Sequence, residues 1–251
     1  MSEYSGRTYL EYDSEHYAVG RPEKSRIWGP GEVPYTISIE GSVGSGKSYF
    51  IQLCRDKCNS IDIISEPIEQ WKSLHGTGRN LLREMYRDPQ RNAFGFQVFV
   101  QQSNLERHLK WKEIVKPRII ERSLGSKLFA EAGFINKHLS LDEALILKGQ
   151  REFHENTRAF GMIPNLIVYL RTQPQTCLDR INKRGRKEEE GMNLSYLSMI
   201  HDLHERWLHY QTLFPPNVEV MEVDSDFDLE HNPYGYVRSV EEVINRCLPS
   251  T

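Results

Sequence analysis

Eight residues of this chain, Gly41-Ser42-Val43-Gly44-Ser45-Gly46-Lys47-Ser48, spell G-x-x-x-x-G-K-[ST] directly after the apolar run Tyr35-Thr36-Ile37-Ser38-Ile39. Glycines in such a loop permit backbone angles that a β-carbon forbids, so successive N–H groups turn inward around polyphosphate oxygens where the next helix begins. Lys47 then reaches the β/γ-phosphates and the Ser48 hydroxyl is placed to ligate Mg²⁺. In isolation the same eight residues also suit a Gly/Ser-rich turn that holds nothing. Their context favours the cradle: a strand ahead and the helical stretch Tyr49–Cys54 behind are what the motif requires.

The rest of the chain repeats that strand-to-helix alternation. Strands are expected near 35–40, 61–65, 117–121, 166–171 and 217–223, with longer helical runs between them. That is the pattern of an α/β fold, a five-stranded parallel sheet flanked by helices. Ligands of such sheets sit beyond the carboxyl ends of the strands. The first four expected strands end in Gly41–Ser48, Glu66-Pro67, Glu121-Arg122-Ser123 and Arg171.

A chain of 251 residues suffices for one large domain, expected over 35–251. Residues 1–34, rich in Tyr, Gly, Ser, Glu and Pro without periodicity, are expected to be a flexible extension. A net charge of −3 with both signs interspersed offers no basic field for nucleic acid. No run approaches the ~20 apolar residues of a membrane span. Cys54, Cys58, Cys177 and Cys247 lack paired C-x-x-C spacing and read as reduced thiols. The first 34 residues have no apolar signal core and carry Glu3, Glu11, Asp13 and Glu15, so the expected compartment is cytoplasmic.

Several side chains stand where chemistry could happen. Glu66 lies at a strand end that Pro67 terminates, and a carboxylate there can act as a general base toward a substrate hydroxyl or remain an ordinary surface group. Trp71 is either core filler or an aromatic wall. Glu121 suits a magnesium site, and Arg122 can hold Glu66 by charge-assisted contacts, unless the two form a strand-end ion pair of little consequence. The run from Arg180 to Gly191 contains Arg184 and Arg186 between glycines, which favours a mobile arginine lid over a triphosphate. Residues 90–112 read as a partly buried helix with Gln97, Gln101 and Asn104 along one side, a solvated face by helix geometry alone. His201 and His204 lack a zinc signature and are taken as structural or exposed.

Taken together, these segments resemble the deoxyribonucleoside kinase family, the group of deoxycytidine, deoxyguanosine and mitochondrial-type thymidine kinases. Five blocks between about 35 and 210 carry the resemblance: Ile39 through Ser48; Ser65-Glu66-Pro67 through Trp71; Met85-Tyr86-Arg87-Asp88-Pro89 with Phe96-Gln97; Glu121-Arg122-Ser123; and Tyr169 through Thr172 with Arg186-Lys187-Glu188-Glu189 and Leu203 through Leu208. The resemblance implies a P-loop nucleotide-kinase fold with a helical lid, ATP and Mg²⁺ as cofactors, a deoxyribonucleoside acceptor and a homodimer. It assigns Glu66 as the base for the 5′-hydroxyl with Arg122 beside it, and Glu121 to magnesium. Tyr86 and Glu189 would hold the sugar 3′-hydroxyl, Gln97 the base edge and Trp71 the pocket wall, with Arg180, Arg184 and Arg186 in the lid. It thereby reverses the solvated reading of Gln97.

Departures from the family pattern fall at Lys127, Asn104, Gly125 and Asn92, expected around the base pocket. A donor-only ammonium at Lys127 suits a carbonyl better than an amino group, so thymidine is the expected pyrimidine, with deoxyguanosine as a further candidate, unless Lys127 bends to solvent and leaves a broad, permissive pocket. The rival readings are a nucleoside monophosphate kinase of the same fold and a nucleotide-binding regulator without turnover.

Overall fold

The computed structural model describes residues 35–74, 77–110, 116–123, 132–133, 135–156, 163–213, 218–227, 232 and 234–248. The expectation for residues 1–34, and those for Gly125 and Lys127, lie outside the described residues. Five strands, β1 (Thr36–Glu40), β2 (Asp62–Ile64), β3 (Arg118–Glu121), β4 (Leu166–Arg171) and β5 (Glu219–Asp224), form one parallel sheet in the order β2-β3-β1-β4-β5. Each lies within two residues of its expected bounds. Pairing registers Ile39 with Glu121 on one side and with Val168 on the other, which puts the carboxyl end of β1 at the centre of the sheet. Because β1 is flanked by β3 and β4, the chain leaves it toward both sides, and the crevice above it is where such sheets bind ligands.

Alternation along the strands separates two packed layers. Ile37, Ile39, Ile119, Leu166, Val168, Leu170 and Val223 bury against α1 (Lys47–Lys57) and α8 (Val237–Cys247). Ile167 and Tyr169 face α7 (Leu194–His204), whose Ile200 and Leu203 join Trp207 of the following π-turn, Glu205–His209. His204 is wholly buried there, stacked on Tyr169 with its Nδ1 on the Ile200 carbonyl, and burial lowers its pKa to about 3. Of the two alternatives the sequence left for it, structural or exposed, it takes the buried one.

The remaining helices build one wall over the strand ends. They are α2 (Ile68–Lys72), α3 (Leu81–Arg87), the long α4 (Pro89–Lys110) and α5 (Leu141–Asn156). Asn80 caps α3 by accepting the Arg83 N–H at 2.8 Å. On the other side α6 (Pro174–Arg184) opens on proline and ends at Gly185, whose φ of +64° is the left-handed conformation that stops a helix. Arg171, the strand-end residue of β4, turns to Glu205 with contacts of 2.5 and 3.1 Å and has a structural role. No helix among the described residues is long and apolar enough to cross a membrane.

Candidate active site

The loop from Gly41 to Ser48 joins β1 to α1 and has the backbone its glycines allow. Gly44 and Gly46 hold φ values of +81° and +98°. A β-carbon on Gly44 would lie 2.5 Å from the Cys177 carbonyl oxygen, so space as well as conformation demands glycine. Beneath the loop the Ser45 carbonyl accepts from Ser225 Oγ at 2.6 Å, from Arg180 Nη1 at 3.2 Å and from the Tyr236 hydroxyl at 3.2 Å. Ser225 and Tyr236 also bond to each other. Lys47 Nζ donates to the carbonyls of Gly41 (3.0 Å) and Ser42 (2.7 Å). Burial above all, and then the Arg122 charge, brings this ammonium down to about 8. A polyphosphate in the cradle supplies the anionic partner that such a buried ammonium needs.

Two strand ends face that loop. Glu66, beyond β2, meets Arg122, beyond β3, at 2.6 Å, with side chains only 6% and 10% exposed. Burial pushes the Glu66 carboxyl up, but the Arg122 guanidinium, with Lys47 and Arg107, outweighs it and holds the pKa below the ordinary carboxylate range. Arg122 reaches this position with a φ of +58°, an uncommon conformation for a residue with a side chain. Glu121 ties the two together, since it accepts from Ser48 Oγ at 3.1 Å and from the Glu66 N–H at 3.3 Å. A serine hydroxyl and a carboxylate side by side at the phosphate loop fit a hard divalent cation that takes its other oxygens from phosphates and water. The described residues contain no group of three acidic, His or Cys ligands that would hold a metal by themselves.

Two cavities meet at this pair. One, of 420 Å³, is lined by Trp71, Tyr86, Gln97, Gln101 and Asn104, with Asn136 and His138 among its other walls. The other, of 830 Å³, is lined by Gly44, Gly46, Lys47 and Ser48 with Arg180, Arg184, Arg186 and Glu189. Glu66, Arg122, Trp71 and Tyr86 border both. Trp71 is both things the sequence allowed, a wall of the cavity and a packed side chain, with its indole N–H on Ser103 Oγ at 2.9 Å and its ring edge-on to Phe96. The strip on α4 is a wall of the smaller cavity, so the solvated reading of Gln97, Gln101 and Asn104 is set aside. Asn92 does not border it: its amide donates to the Glu84 and Asp88 carbonyls at the end of α3.

The arginines divide. Arg184 grips Glu189 at 2.7 and 2.8 Å and Arg186 approaches it at 3.5 Å, across a hinge bounded by Gly185 and Gly191. Arg180 instead spends its donors on backbone carbonyls, those of Gly44, Ser45, Ser225 and Phe227, so it braces the phosphate loop from within α6. Asp226 and Phe227, which follow β5 and line the larger cavity, were missed in the sequence. The rule that pointed to the other strand ends would have found them.

A deoxynucleoside kinase family profile matches residues 37–246. The human protein "Thymidine kinase 2, mitochondrial" is 31% identical over 215 residues, covering 84% of this chain and 80% of its own. Human deoxycytidine kinase is 30% identical over 235 residues, with 83% and 90% covered. Chicken (Gallus gallus) deoxycytidine kinase 2 is 33% identical over 198 residues, with 70% and 75% covered.

Proposed function

The chain belongs to the deoxynucleoside kinase family, and from that premise we propose that it transfers the γ-phosphoryl group of ATP to the 5′-hydroxyl of a deoxyribonucleoside, a salvage reaction. The observation that carries this reading is the shared border of the two cavities: Glu66 and Arg122 stand where an acceptor hydroxyl on one side would meet a donor phosphate on the other. The 5′-oxygen bonds to the γ-phosphorus as the bond from that phosphorus to the β-γ bridging oxygen breaks, and the hydroxyl proton passes to Glu66. Loop N–H groups and Lys47 stabilise the leaving diphosphate, and Arg122 holds Glu66 ionised in line. Ser48 and Glu121 would hold Mg²⁺, which would supply positive charge against the donor phosphates.

Tyr86 and Glu189 are proposed to hold the sugar and Gln97 the base edge. A monophosphate acceptor would need several cations, yet Arg122 is the one Lys or Arg among the described residues lining the smaller cavity. That disfavours the nucleoside monophosphate kinase reading, and a base held ionised beside two joined cavities disfavours a regulator without turnover. Gln97 can pair with either pyrimidine by flipping its amide, so the proposed preference for thymidine rests on the ammonium of Lys127. The test is ATP consumption across a nucleoside panel, with product identification. Thymidine should exceed deoxycytidine roughly tenfold in kcat/KM. No nucleoside-dependent turnover would overturn the function, whereas deoxycytidine ahead of thymidine would overturn only the base.

Arg184 and Arg186 are proposed to serve the transferring phosphate as the lid closes, with Arg180 fixing the loop they close upon. Arg186→Ala should then lower kcat by about tenfold or more and leave nucleoside KM nearly unchanged, because the contact strengthens in the transition state. A change in KM alone would remove Arg186 from the lid. The exposed Leu141, Leu145 and Ile146 on α5 support a homodimer, which sedimentation velocity reads directly. The four free thiols suit a reducing compartment, and a cytoplasmic one is proposed, to be checked by fractionation.

A further inference from the structure

Arg107 has no part in the sequence reading, yet it is a buried cation at the point where the catalytic strands part. It sits on α4 one turn beyond Ser103 and Asn104 and is only 7% exposed. β2 and β3 pair through Ile64 and Ile120 and then diverge toward Glu66 and Arg122. Beyond that pair the Glu66 N–H goes to the Glu121 carboxylate and not to a ladder carbonyl, and a buried carbonyl without a donor is costly. Arg107 fills the fork. Its Nη1 donates to the Ile64 carbonyl at 3.4 Å, and its Nη2 to the carbonyls of Glu121 at 3.1 Å and Arg122 at 3.3 Å.

The same backbone is held from the opposite side. The N–H of Ser123 donates to Oε1 of Glu40 at 2.7 Å, and Glu40, wholly buried, also accepts from Ser38 Oγ at 2.8 Å. Residues 121–123 are therefore fixed through their carbonyls by Arg107 and through an N–H by Glu40, on either side of the strained φ of Arg122. Such a conformation persists only where its surroundings over-determine it. Burying a guanidinium is expensive, and a well-packed apolar side chain would stabilise the core at least as well. What an apolar residue lacks is a planar fork of donors reaching two strand ends at once.

We propose that Arg107 is a positioning residue, which locks the ends of β2 and β3 to α4 and so holds Arg122 in the conformation that brings its guanidinium to Glu66. Gln97, Gln101 and Asn104 of the same helix line the acceptor cavity, so the contact also sets the distance between the bound acceptor and its base. This inference rests on the proposed kinase reaction.

The test compares Arg107→Met and Arg107→Lys with the parent by kcat, nucleoside KM, ATP Kd and thermal melting. Arg107→Met removes all three carbonyl contacts and should lower kcat on the order of 10²-fold, the scale of a small misplacement at a reacting centre. ATP Kd and nucleoside KM should stay within about threefold, since neither binding surface is altered. Arg107→Lys keeps the charge but not the fork, and its kcat should fall between the two. A Met variant with kcat within about twofold of the parent overturns the proposal, as does a loss of kcat accounted for by the fraction unfolded at the assay temperature. Should the Met variant not fold, the Lys variant decides: a kcat about fivefold down at unchanged ATP Kd supports the role, and a parental kcat overturns it. A parent without nucleoside-dependent turnover overturns the kinase reading and this inference with it, whereas an active parent with an equally active Met variant overturns this inference alone.

Discussion

Glu66→Gln is expected to turn over at least about 10²-fold more slowly than the parent while binding ATP as tightly, the scale of a general-base contribution. Glutamine matches glutamate in shape and keeps a carbonyl oxygen for Arg122, so the change removes proton affinity more than structure. The carboxylate is held in a weakly basic state by its 2.6 Å contact with Arg122. A weak base is adequate because the loose phosphoryl-transfer transition state leaves the acceptor proton in place until late. Single-turnover kinetics at saturating nucleoside, paired with an ATP titration, measures the two quantities separately. Near-parental kcat would remove Glu66 from the base role.

Arg122→Leu is expected to act on stability and rate together. Removing one member of a buried ion pair leaves the other uncompensated, at a cost of about 3–5 kcal/mol. In the parent, the folded-state pKa of Glu66 lies below its unfolded value, so the pair stabilises the fold above the unfolded pKa, roughly 4.3, and that contribution is lost as pH falls through the folded value. With the Arg122 charge and hydrogen bond gone, burial, the largest single influence on this carboxyl, acts against Lys47 and Arg107 alone and is expected to lift the folded pKa above the unfolded one. The sign reverses: stability is fully present at acid pH and declines as pH rises through the folded value. Urea midpoints at pH 5 and pH 7 should thus fall with pH in the variant and not in the parent. The acid limb of kcat should also move to higher pH. A variant with the parental pH dependence would show that Arg122 does not control Glu66.

The strand ends of the candidate site were legible because each placed one polar or charged residue immediately after an apolar run, and the sheet brings such ends together whatever the helices do. Arg122 was legible as an arginine beside Glu66, but its left-handed backbone was not, since nothing in Glu-Arg-Ser announces a positive φ. Glu40 went unnoticed for a physical reason. Thr36, Ser38 and Glu40 alternate with Ile37 and Ile39, and a buried carboxylate at the end of an apolar run carries no mark of its own in the sequence, although both faces of β1 are buried. Arg107 hid in the same way, because one charge on the polar side of a helix normally points to solvent. The charge run from 180 to 191 was read as a single lid, yet Gly185 ends α6 between Arg184 and Arg186, and the helix turns Arg180 onto the loop. Asn92, expected beside the base, lies between the cavity-lining Pro89 and Ala93 but turns its amide onto the Glu84 and Asp88 carbonyls.

The bond between the Tyr236 hydroxyl and the Ser45 carbonyl joins the two ends of the sequence in one function. A β-carbon on Gly46 would lie 2.6 Å from that hydroxyl, so α8 fits the donor loop as closely as the loop fits itself. In genetic terms, a premature stop after residue 224 removes the support of the phosphate site and not a trailing helix. Substitutions at Tyr236 or Ser225 should accordingly be tolerated as poorly as those in the glycine loop, although more than 170 residues separate them from it in the gene.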